Sequence, residues 1–79
     1  MSLKVSTALI LRKLRKERGI SQETLAKISG IDRTFISGVE RCRRNVTLDT
    51  LERFLAALEV ETPVFLVLLA EQESVRENL

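Results

Sequence analysis

The sequence predicts an all-α domain, a bundle of five short helices. Three observations carry that expectation. Leu, Ala, Glu, Lys and Arg dominate a chain with no Trp or Tyr and a single Pro, so helix formers are abundant and strand formers scarce. Helix-starting and helix-stopping residues recur at regular intervals. The apolar residues between them fall at helical spacing. The 79 residues read as one domain, 1–79, with no repeat, linker or low-complexity segment; a core of that size gains from association with a second copy. A hydrophobic share of 44% beside 30% charged residues belongs to a globular chain rather than a disordered one.

The first helix is expected over about residues 7–18, with Leu11 and Leu14 inward. Gly19 ends it, because glycine accepts the left-handed backbone that commonly follows a helix. Ser21 is an N-cap for a second helix running to about residue 29, with Leu25 and Ile28 spaced for one face. Gly30 ends that helix after about two turns. Asp32 is expected to cap a third helix over 33–41. Thr47 caps a fourth, with an apolar stripe of Leu48, Leu51, Phe54, Leu55 and Leu58. Thr62 and Pro63 read as the N-cap and first-turn pair of a fifth helix, about 62–77.

The second and third helices, joined by Gly30-Ile31-Asp32, form a helix-turn-helix arrangement. Small Ala26 permits a close helix crossing, Gly30 permits the sharp reversal, and Ile31, Ile36 and Val39 supply the apolar side. At 100° per residue, Ile36 and Val39 fall near 300° and 240°, whereas Arg33, Thr34, Ser37, Gly38 and Arg41 occupy roughly 0–140°. The outward face thus carries guanidinium and hydroxyl groups and no acid. Arg can bond both acceptors on a guanine edge, and Thr offers a hydroxyl and a methyl. Gly38 is expected to remove a side chain where the helix meets a groove wall.

The net charge of +2 hides an asymmetry. Residues 1–44 hold eleven Lys/Arg against four Asp/Glu, and residues 45–79 hold two against seven. A basic first part suits a polyanion such as double-stranded DNA. Catalysis is disfavoured: there is no His, no phosphate-cradling Gly-rich loop and no Cys/His metal spacing. No cofactor, metal or small-molecule ligand is indicated. Cys42 is alone, so it forms no internal disulfide, and it reads as an inert loop residue. No segment reads as a signal peptide, and the longest apolar stretch, 64–70, is far too short to span a bilayer. A cytoplasmic protein without membrane contact is expected.

These residues carry a resemblance. The run Gly19-Ile20-Ser21-Gln22-Glu23-Thr24-Leu25-Ala26, then Gly30-Ile31, Ile36-Ser37, Val39-Glu40-Arg41 and the segment 48–60, resembles the Cro/phage-repressor (XRE) family, over roughly residues 7–62. More narrowly, residues 32–41 with Arg44-Asn45-Val46-Thr47-Leu48 are similar to the controller proteins of restriction–modification systems. The resemblance implies a lambda-repressor-like fold and a homodimer that binds a palindromic operator and regulates transcription as a repressor or an activator. It implies base contacts from Arg33, Thr34 and Ser37. It implies phosphate contacts from Gln22, through its side chain or neighbouring amides, and from Arg43, Arg44 and Asn45. It also implies an internal salt bridge between Arg15 and Glu40. Two departures stand out: Phe35 replaces a frequent Tyr of the controller proteins, and Cys42 replaces the usual Gly of the wider family.

The fifth helix is apolar right around at residues 64–69. One side can face the core; the other needs a partner. A second copy is the simpler occupant, with Phe65, Leu66 and Leu69 at the interface, because operator readers of this type are commonly symmetric. The alternative is an antitoxin-type interaction module that grips a different protein through this helix.

Overall fold

Five helices follow one another in the computed structural model, which describes residues 2–77. They are α1 (Leu3–Glu17), α2 (Gln22–Ser29), α3 (Arg33–Glu40), α4 (Leu48–Leu58) and α5 (Thr62–Glu77). Among the described residues there is no strand.

Side-chain caps start three of them. The hydroxyls of Ser2, Ser21 and Thr47 accept the backbone N–H of Val5, Thr24 and Thr50 at 3.3, 3.0 and 3.1 Å, each satisfying a first-turn donor. Ser2 explains why α1 begins well before residue 7, where the sequence placed it. Asp32 departs from expectation: its backbone stands at the N-cap of α3, but its side chain makes no capping bond. At α5 the Glu61 carbonyl accepts the Phe65 N–H at 3.2 Å, so Thr62 is already helical and the cap lies one residue earlier than expected.

Three helices end in the paired bonds of a Schellman motif, with a left-handed residue just beyond the helix. After α1 that residue is Gly19, after α3 Cys42 (φ 62°) and after α4 Glu59 (φ 58°). At Cys42 the pair is complete: its N–H reaches the Val39 carbonyl at 3.0 Å, and the Arg43 N–H reaches Gly38 at 2.7 Å. A β-carbon in this region costs about 1–2 kcal/mol. Cys42→Gly is therefore expected to stabilise the fold by about 1 kcal/mol after allowing for the looser unfolded chain. A urea midpoint that falls, with unchanged slope, would refute this.

The core gathers Leu11 and Leu14 of α1, Leu25 of α2, Ile36 and Val39 of α3, Phe54, Leu55 and Leu58 of α4 and Phe65 of α5. α2 packs on α3 and α4, and α1 spans α3 and α5. Two expected inward residues are outside. Ile28 is 57% exposed, because the inward stripe of α2 runs through buried Leu25 and half-buried Gln22, Ala26 and Ser29 at i, i+3, i+4 and i+7. Leu48 is 79% exposed, at the very start of α4 and beyond the reach of the core. The hydroxyl of buried Ser6 donates to the Glu73 carboxylate, fastening the second half of α5 to α1.

Candidate nucleic-acid interface

The turn between α2 and α3 is built by Gly30 and Ile31. Gly30 adopts φ 72°, and its N–H bonds the Ala26 carbonyl at 2.9 Å. Ile31 is buried beneath the turn, and its N–H bonds the Ser29 hydroxyl at 3.1 Å. Arg53 of α4 donates to the Ser29 carbonyl at 3.2 Å, adding a cation at the negative end of α2. Sequence reading missed Arg53; a contact between residues 24 positions apart leaves no periodic trace.

With the turn fixed, α3 presents the expected faces. Ile36 and Val39 are buried, whereas Arg33 and Thr34 are exposed and Ser37 is half-exposed. Among the described residues no acceptor engages the Arg33 guanidinium, so it is free to bond outside the chain. The loop after α3 carries Arg43, Arg44 and Asn45, all exposed.

The far end of α3 is held by an ion pair. Arg15 Nε donates to Glu40 Oε2 at 2.6 Å and its Nη2 to Oε1 at 2.8 Å, a two-pronged pair. A third Arg15 nitrogen donates to the Ile20 carbonyl at 2.8 Å. The two side chains are only 10% and 2% exposed. The hydrogen bond to Glu40 raises the Arg15 pKa above its already high ordinary value, against the effect of burial. At Glu40, burial favours the neutral acid, but hydrogen bonds from Arg15 and Gln22 and the charges of Arg15 and Arg12 outweigh it. Its carboxyl consequently titrates below the usual carboxylate range.

Two sequence expectations change here. Gln22 does not simply extend its side chain outward: its Nε2 donates to Glu40 Oε1 at 3.0 Å. The amide is drawn into the ion-pair network, leaving the first-turn backbone N–H groups of α2 as the clearer donors at that end. Gly38 does not face a groove wall. It is buried under the Arg44 side chain, whose Cγ would lie 2.5 Å from any added Cβ.

Beside the loop after α3 an apolar groove is lined by Leu3 of α1, Leu48 and Leu51 of α4, Arg44 and Val46 of the loop and Leu66 and Leu69 of α5. Phe65 is corrected from an interface residue to a core residue: it is 1% exposed in the single chain and belongs to the buried cluster, on a helix that packs against α1 and α4. Leu66 is 53% exposed, while Leu69 is half-buried against the core. The apolar surplus of α5 thus comprises Val64, Leu66, Val67 and Val75, of which Leu66 lines the groove.

A family profile described as helix-turn-helix matches residues 11–65. The chain belongs to the helix-turn-helix family. Within that family the control protein C.SmaI of Serratia marcescens is 46% identical over 66 residues, spanning 84% of this chain and 79% of that one. The crystal structure of the wild-type restriction–modification controller protein C.Esp1396I matches with a TM-score of 0.88 at 40% identity, covering 91% of this chain and 95% of that one. The same protein as a tetramer in complex with its natural 35 base-pair operator matches with a TM-score of 0.87 at 40% identity, with coverage of 91% and 95%. The controller resemblance read from residues 32–41 and 44–48 agrees with these relatives. Among the described residues no helix is long and apolar enough to cross a membrane.

Proposed function

We propose that the protein is a sequence-specific DNA-binding transcriptional regulator of the restriction–modification controller type, binding a palindromic operator as a homodimer. It works in the cytoplasm by binding rather than by catalysis. The carrying observation is the exposed, acid-free face of α3 at Arg33, Thr34 and Ser37, mounted on a helix-turn-helix whose C-terminal end is anchored by Arg15 and Glu40. Arg33, Thr34 and Ser37 meet base edges in the major groove. Arg43, Arg44, Asn45 and the α2 N-terminus beside Gln22 meet phosphates. The similarly folded C.Esp1396I in complex with its natural operator, and bound to a 19 base pair DNA duplex, supports this reading.

The whole chain acts as one DNA-binding domain, with α5 as its dimerisation helix. Leu66 projects from the apolar groove that a second copy fills, with Leu69 beneath it. The exposed Val64, Val67 and Val75 of α5 would be the surface for a different partner protein.

Because Leu66 is exposed in the single chain, Leu66→Glu is expected to leave the fold intact while costing a few kcal/mol of association. Sedimentation should show folded monomers, and operator affinity should fall steeply. Wild-type protein sedimenting as a monomer at high micromolar concentration would contradict the dimer. The DNA reading is tested by titration at several salt concentrations: log affinity should fall with log salt by about 0.9 per phosphate neutralised. A salt-independent signal would remove it.

A further inference from the structure

Gly38 is an oddity in α3. A glycine inside a helix destabilises it relative to alanine, and Gly38 does not have a positive φ that would require glycine. What it meets explains it. A Cβ built there would lie 2.5 Å from Arg44 Cγ, 3.5 Å from Arg44 Cβ and 3.7 Å from Arg44 Cδ. The Gly38 carbonyl also accepts two N–H groups, from Arg43 at 2.7 Å and Arg44 at 3.2 Å. The loop following α3 is therefore fastened to α3 at one residue, by its backbone N–H groups and by the stem of Arg44. The close approach is at Cγ, so moving the guanidinium end alone does not relieve it; only a turn about the Arg44 Cα–Cβ bond, which swings the whole stem off α3, or a shift of the loop does.

We propose that Gly38 is the positioning residue for Arg44. The missing β-carbon seats the Arg44 stem on the recognition helix and so sets where the guanidinium meets DNA phosphate in register with Arg33, Thr34 and Ser37. This rests on the proposed reading of Arg44 as a phosphate contact, and it adds a reason for glycine that lies on the loop side of α3. The same stem borders the apolar groove beside Val46 and Leu69, so a displaced Arg44 also disturbs the flank where a second copy would sit.

The test is a cycle of Gly38→Ala, Arg44→Ala and the double variant, each measured for thermal midpoint and for operator affinity across salt concentrations. Helix propensity alone would make Gly38→Ala raise the midpoint. The expected result is the reverse: the midpoint falls in the wild-type background and recovers in the Arg44→Ala background, where only an ordinary Cβ contact remains. Arg44→Ala should weaken binding to matched and mismatched DNA alike and flatten the salt slope by about one unit. Gly38→Ala should reproduce that flattening, and the double variant should bind no worse than Arg44→Ala. A raised midpoint for Gly38→Ala, or an unchanged slope while Arg44→Ala flattens it, would overturn the positioning role alone. An unchanged slope for Arg44→Ala itself would overturn both the phosphate contact and the role built on it.

Discussion

Glu40→Ala is expected to cost about 3–5 kcal/mol of stability, the usual loss when one partner of a buried ion pair is removed. The variant strands the Arg15 guanidinium, whose side chain is 10% exposed, and leaves two of its donors without their acceptor. The loss spreads because Arg15 also holds the Ile20 carbonyl and Glu40 also holds Gln22, so one carboxylate ties α1, α2 and the end of α3 together. A chain of this length has about 4–12 kcal/mol in total, so Glu40→Ala should remove at least about a quarter of the stability. Replacing both partners together, as Arg15→Met with Glu40→Leu, should restore much of the loss, since the apolar pair strands no charge. Urea unfolding of the three variants measures this; a double variant no more stable than Glu40→Ala would contradict it. The pair also sets a pH dependence. Glu40 titrates lower in the folded protein than in the unfolded chain, so its contribution is fully present above the ordinary carboxylate value of about 4.3. It is lost as pH falls through the lower folded value. Glu40→Gln should flatten the acid limb of the stability curve.

Arg33→Ala is expected to erase most of the discrimination between a matched operator and one altered at the base pair it reads, about 1–3 kcal/mol per half-site. Arg33 is the first residue of α3, is exposed, and has no competing acceptor among the described residues. Its two-pronged donor set fits the O6 and N7 acceptors of guanine. Thr34 and Ser37, on the same face, refine the choice at neighbouring pairs. Arg43→Ala should instead weaken matched and mismatched DNA alike and lower the salt slope by about one unit. A specificity ratio unchanged by Arg33→Ala at fixed salt would reassign the reading residue while leaving the fold untouched.

Much of this was legible from local chemistry. Gly30, the Ser21 and Thr47 caps, and the inward Ile36 and Val39 each follow from rules that act within a few residues. The reading faltered where the deciding contact is distant in sequence or absent. Arg53 meets Ser29 from another helix. Gly38 is explained by Arg44 across a turn, and nothing at Gly38 itself distinguishes a loop contact from a groove contact. Glu59 takes a left-handed backbone without any glycine signal, because the Schellman bonds of Val60 and Glu59 hold it there. Phe65 was misplaced because an all-apolar run does not reveal which side faces the core; only packing against α1 and α4 separates it from Leu66.

Selection of bound sites from a pool of random DNA duplexes by the wild-type protein tests the central claim most directly. A two-fold symmetric motif should be enriched, with half-sites about one helical turn apart and a guanine at a fixed position in each. The same selection with Arg33→Ala should lose that guanine and keep the half-site spacing. A pool that retains only general affinity for DNA, or an enriched motif without two-fold symmetry, would contradict a dimer that reads its operator through α3.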